Sequence, residues 1–184
     1  MAPYTGQTVP QREHNIVQAA GGLQIFSATL VRPNDTVTYA SGDVISTSSS
    51  SGSIFSFDIA PRPGVPYPAG IQILSARLYQ NSNQSTKLTA TLYLGTSDPG
   101  VQNDNGVYTP TAAIIQARIG KFSFTTSSGE FFTGVNATKT IQTPSWDIRI
   151  PSPTAKIYGV LSPTNAYVPI AIESFTVELD CLVW

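Results

Sequence analysis

Charge is scarce in this 184-residue chain: only 11% of its residues are Asp, Glu, Lys or Arg, against about 25% in ordinary globular domains. Ten basic and eleven acidic side chains nearly cancel. No cluster of Lys and Arg exists to meet a row of phosphates, which excludes a nucleic-acid partner. Cysteine is rarer still. Cys181 stands alone, so no intrachain disulfide can form and export to an oxidising compartment is not implied. Histidine too occurs once, as His14. Any Ser-His-Asp or Cys-His arrangement would have to use it, yet it lies between Glu13 and Asn15 in a stretch with no packing period to hold its geometry. The same counts exclude zinc sites, and nothing calls for a cofactor. There is no run of about eighteen apolar residues to cross a membrane. The start, MAPYTGQTVPQREHNIVQAAGG, has neither a positive beginning nor an apolar centre, so it is not an ordinary secretory signal. The expectation is a soluble chain made in a cytosol, with no membrane partner. The N-x-S/T matches at Asn34, Asn83 and Asn136 then read as chance products of a sequence rich in these residues.

Ser, Thr, Asn and Gln cover the surface in place of charge, and a near-neutral surface favours association. A chain of this length buries roughly 70% of its unfolded surface, enough for one core without staples. Fourteen prolines and fourteen glycines punctuate the sequence in clusters such as SSSSG, PRPGVPYPAG, TSDPGVQNDNG and PSPT, leaving no room for long helices. Between the clusters a period of two recurs, the mark of half-buried strands. Strands are expected over Gln24–Val31, Thr36–Ser46, Ser53–Ala60, Ile71–Gln80, Lys87–Gly95, Ile119–Thr126, Trp146–Ile150, Lys156–Ser162 and Glu173–Val183. One short helix is expected over Pro110–Gln116, capped by Thr109. The polar knot NSNQS, Asn81–Ser85, reads as a hairpin loop joining the strands on either side.

About nine strands with one apolar face each need a second sheet to cover them. The expected fold is all-β: a two-sheet antiparallel β-sandwich of jelly-roll type over residues 23–184. Residues 1–22 show no period and read as an extended N-terminal arm, with Tyr4, Val9, Ile16 and Val17 as its candidate contacts.

Few side chains suggest a site. Cys181 falls on the apolar face of the last strand and reads as a small buried hydrophobe. Asp58, Asp147, Glu178 and Asp180 take the outward phase of their strands, where they would pair with neighbours such as Arg149 and not form a glycosidase couple. Asp98, Asn103, Asp104 and Asn105 gather oxygens in DPGVQNDNG but miss the spacing of an EF-hand, so no metal is assigned. The stretch PRPGVPYPAG, Pro61–Gly70, is stiffened by four prolines and carries Arg62 and Tyr67, residue types favoured at interfaces. Tyr93, Tyr108 and Tyr158 are candidates for an aromatic platform.

YASGDVIS (Tyr39–Ser46), the strand IFSFDIA, ILSARLYQNSNQSTKLTATLYLGTSDP (Ile73–Pro99), DNGVYTPT (Asp104–Thr111), IYGVLSPTNAYVP (Ile157–Pro169) and the closing SFTVELDCLVW together resemble small virion structural proteins of tailed bacteriophages. The resemblance spans about Thr36 to Val183 and leaves out both the arm and PRPGVPYPAG. In that family a Y-x-x-G-D-V motif precedes a strand, and an S-A-x-L strand pairs with an L-x-L-x-L strand. It implies a β-sandwich that decorates phage heads as a cement or auxiliary capsid protein. The implied partner is the major capsid protein, and a homotrimer is expected from the composition and the three-fold junctions of icosahedral shells. A tail or baseplate component and a carbohydrate-binding sandwich are the alternatives.

Overall fold

The computed structural model describes residues 22–59, 70–82, 87–125, 130–133, 138–142, 148–150 and 156–183. Ten strands are described: β1 Gly22–Val31, β2 Phe55–Asp58, β3 Ile71–Gln80, β4 Ala90–Gly95, β5 Arg118–Phe124, β6 Glu130–Thr133, β7 Thr138–Gln142, β8 Ile148–Ile150, β9 Lys156–Pro163 and β10 Ser174–Val183. They form two sheets whose pairings are all antiparallel. The first runs β1-β10-β3-β7-β6, with β8 beside β7 on the same flank of β3; the second runs β2-β9-β4-β5. The chain thus crosses between sheets at β1 to β2, β2 to β3 and β3 to β4. On its return it inserts β9 between β2 and β4, and β10 between β1 and β3. That nested order is the jelly roll.

The order overturns the expected hairpin, and with it the pairing that the phage resemblance implies for the two strands. β3 has β10 on one flank and β7 with β8 on the other, while β4 lies between β9 and β5. Neither has an edge left for the other. Both strands have one face to bury, and facing each other across the core buries both. The polar link therefore changes sheets. Asn81 anchors its start: its N–H donates to Ser174 O at 3.1 Å, and its Oδ1 accepts from Ser174 N at 2.8 Å.

Other expectations shift in detail. Thr36–Ser46 is no strand but a run of turns with isolated bridges at Tyr39, Asp43 and Ile45. Gly42 turns it at φ +92°, and Asp43 Oδ2 accepts from Ala40 N at 2.6 Å, so Y-x-x-G-D-V encodes a side-chain-closed turn. The helix α1 is Ala112–Gln116, capped by Thr111 and not Thr109; its hydroxyl accepts from Ile114 N. β6 and β7 were not expected, since TTSSGEFFTGVNATKTIQT offers no clean alternation. Of Trp146–Ile150, only β8 is described.

Phe55, Phe57, Phe122, Phe124, Phe175, Leu92, Leu94 and Leu179 fill the space between the sheets, and each such side chain contributes about 1.5–3 kcal/mol of apolar burial. β3 alternates correctly only in halves. Ile71 and Ile73 point in, then Ala76 and Leu78 do. A bulge opposite Asp180 and Cys181 adds a residue between them and turns Leu74 outward.

Candidate docking surfaces

One end of the sandwich is held by two buried polar networks. Arg32 leaves β1 and turns inward to 2% exposure. Its Nε donates to Tyr39 OH at 2.9 Å, its Nη1 to the carbonyls of Asp35 at 2.6 Å and Ile170 at 3.2 Å, and its Nη2 to Asp35 Oδ1 at 2.9 Å and Asp104 Oδ2 at 3.3 Å. Asp104 Oδ1 accepts from Tyr39 OH at 2.6 Å and from Ser46 N at 2.8 Å. Asp35, which accepts from the Val37 N–H and from Arg32, is held below the usual carboxylate range by those two donors. In the second network Glu173, fully buried, accepts from Tyr167 OH at 2.8 and 2.9 Å, from Gln80 Nε2 at 2.8 Å and from Ser82 Oγ. Tyr39 and Tyr167 stack at 6.5 Å and join the networks. Burial, then a neighbouring carboxylate, pushes both phenols well above their ordinary range.

Two loops lie over these networks and are bonded to each other: Arg32 N donates to Glu173 O at 3.0 Å, Ile172 N to Pro33 O at 3.2 Å, and Tyr39 and Tyr167 exchange backbone bonds. They expose Val37, Val168, Ile170 and Ile172, beside Val31 at the end of β1, to between 41% and 60%. Ile172 has φ +52°, a left-handed conformation that is strained for a β-branched residue. The strain turns an isoleucine toward water on a braced support.

A second surface lies on the outer face of the sheet formed by β2, β9, β4 and β5. The rings of Tyr93 and Tyr108 are 5.7 Å apart, and the Arg118 guanidinium sits 4.5 Å from the centre of the first and 5.7 Å from that of the second. Tyr158 lines the same hollow. The structure therefore brings the three sequence-selected tyrosines together and adds Arg118, which the sequence reading missed.

A third is the free flank of β1. Among the described residues β1 pairs only with β10, and it carries neither charge nor proline to discourage further pairing. Leu23 and Ile25 stand out from it, largely exposed.

The remaining candidates fall as follows. Tyr4, Val9, His14, Ile16, Val17, Arg62 and Tyr67 lie outside the described residues, as does Asp147. Glu178 and Asp180 do take the outward phase, but they share Arg77, at 2.8 Å for Glu178, and Asp58 pairs with Lys156 at 3.2 Å. Arg149, foreseen as a partner for the acids, stands opposite Gln72 in the β3–β8 register. Asp98 and Asp104 serve separate tasks, because Asp98 closes a turn onto Gly100 N at 2.8 Å while Asp104 is enclosed by Arg32, Tyr39 and Ser46. Cys181 is buried, its thiol pushed up to about 12 by burial and by Asp180. No helix among the described residues is long and apolar enough to cross a membrane.

No protein-family model matches the chain, and no curated protein matches its sequence. Similar solved structures include the cyanophage Pam1 capsid asymmetric unit, at 10% identity over 98% of this chain and 91% of that one, with a TM-score of 0.39. Rhinovirus-B5 is 12% identical over 100% of this chain and 81% of that one, with a TM-score of 0.35. The native virion of Kashmir bee virus at acidic pH is 10% identical over 100% and 80%, with a TM-score of 0.32. The fold assignment rests on the strand order itself.

Proposed function

We propose that this chain is a structural protein of a virus particle, and more narrowly a decoration or cement protein on the outside of a tailed-phage head, with the major capsid protein as its partner and no catalytic role. The observation that carries this reading is the apolar rim of Val37, Val168, Ile170 and Ile172 on loops tied down from beneath, with Val31 beside them at the end of β1. Exposed apolar patches mark interaction sites, and a surface that is rigid beforehand loses little entropy on docking. Support also comes from the jelly-roll order, which occurs in capsid and lectin domains, and from the sequence resemblance over Thr36–Val183. Copies bound at junctions between capsomers would stabilise the assembled shell over its burst state by mass action. A closed homotrimer would let one interface serve every copy; light scattering on the purified protein checks it, and a monomer mass retained on the shell argues against it.

The segment 1–22 is proposed as an arm leading into the sandwich of residues 23–184, with its last residue, Gly22, already opening β1. Fully extended, it reaches up to roughly 70 Å, far enough for Tyr4, Val9, Ile16 and Val17 to contact a neighbouring subunit. Deleting residues 1–20 should leave the melting temperature unchanged and weaken attachment; unchanged attachment would leave the sandwich as the docking unit.

Particles lacking the protein are expected to release DNA at lower temperature, or on osmotic shock, while adsorbing to cells normally. Depleted particles that resist heat like complete ones but fail to adsorb would replace the cement reading with a receptor-binding one. Failure of both readings would leave a tail or baseplate role.

A further inference from the structure

Arg118 and Lys121 are three residues apart on β5, a spacing that in a regular strand puts side chains on opposite faces. They share a face here because the β4–β5 register slips. Tyr93 pairs with Lys121 and Leu94 with Gly120, but Gly95 pairs with Arg118, leaving Ile119 as the extra residue of a bulge. Gly120 takes the inward position and lies against Ile148, where a Cβ would come within 2.4 Å of Cδ1. Lys121 and Arg118 therefore both point outward, Lys121 opposite Tyr93 in the register and Arg118 over its ring. Together with Ile119 and Gly120 they line a surface groove of about 480 Å³.

Their surroundings leave both charges available. Arg32, Arg77 and Lys156 each have a carboxylate partner, whereas neither Arg118 nor Lys121 has one among the described residues. Arg118 instead lies over the Tyr93 and Tyr108 rings, at 4.5 and 5.7 Å from their centres. That contact restrains the guanidinium without using its N–H groups, which can meet a carboxylate in the bidentate geometry in which arginine exceeds lysine. It also covers the Tyr93 face, so the ring is occupied by its own cation where a sugar would have to stack. In a chain with ten cations in all, a bulge that sets two of them around one ring builds a site for an anion.

We propose that this groove binds carboxylate side chains of an acidic segment on a partner protein. The inference is independent of the virion reading, since it uses none of the residues of the apolar rim and asks only for complementary charge.

The test uses the full chain and fluorescein-labelled hexa-glutamate peptide, followed by anisotropy at low and physiological salt. Binding is expected at low salt, weakening as salt rises, with none to hexa-glutamine. Arg118→Gln and Lys121→Gln should each weaken it about tenfold or more, the loss of one charge-assisted bond, with unchanged melting temperatures because both side chains are exposed. Arg118→Lys should fall between, keeping the charge and losing the stacked plane. Absence of hexa-glutamate binding, or equal binding by Lys121→Gln, overturns the proposal. So does binding of oligogalacturonate without binding of the peptide, which would make the ligand an acidic sugar.

Discussion

Tyr39 and Tyr167 lie ring against ring, 6.5 Å between centres, and each hydroxyl donates to a different buried carboxylate, Asp104 in one case and Glu173 in the other. The pair joins the two halves of the polar support beneath the apolar rim. Removing one hydroxyl leaves a buried acceptor short of a donor, which costs about 1–3 kcal/mol. Tyr167→Phe and Tyr39→Phe should each lower stability by that amount in urea denaturation. Thr164→Ala removes only an exposed bond to Thr89 and should stay within about 0.5 kcal/mol. Equal effects at all three positions would mean that the networks do not brace this end.

Ile172 tests whether backbone strain has been kept for docking. A left-handed β-branched residue costs about 1–2 kcal/mol, and the exposed side chain recovers little of it by burial. Ile172→Asn, which tolerates this conformation, should raise the free energy of unfolding by about 1 kcal/mol while weakening attachment to the shell. A variant that is no more stable removes the strain argument, and one that attaches as well as the parent removes Ile172 from the interface.

Alkaline pH provides a third test. Free thiols and phenols ionise near 9.0 and 10.0, whereas Cys181 is pushed up to about 12 and Tyr39 and Tyr167 are raised as well. The folded state holds these protons more tightly than the unfolded one. Their stabilisation is therefore complete below pH about 9 and is lost as pH climbs from there through 12, at up to about 1.4 kcal/mol per pH unit for each group. Urea midpoints should fall between pH 9 and pH 11; constant midpoints would contradict the burial of these three groups.

The alternation in GLQIFSATLV, TLYLG and SFTVELDCLV was enough to read the strands and the two-layer fold, because a period of two records which face is buried. It does not record which strand lies alongside which. That is why NSNQS looked like a hairpin: two strands joined by a short polar link show the same pattern whether they pair or face each other. Bulges were equally hidden, since one inserted residue at Leu74 or Ile119 only breaks the period and leaves no residue type of its own. The three tyrosines were visible as candidates, but Arg118 became their partner only through the β5 bulge. The burial of Arg32 in VRPNDT and Glu173 in AIES left no mark in the sequence, because nothing local shows that Tyr39, Asp104, Gln80 and Tyr167 will enclose them. The exposed apolar run VPIAI, Val168–Ile172, was a signal the sequence did contain: its valine and isoleucines sit in a proline-bearing turn, where solvated residues are the rule.

The most direct test of the virion reading is the position and copy number of the protein on purified particles, by immunogold labelling and quantitative mass spectrometry. The account predicts label over heads and a copy number that scales with the capsomer junctions of the shell. Label confined to tails, at a copy number set by tail symmetry, or no label on particles at all, would contradict it.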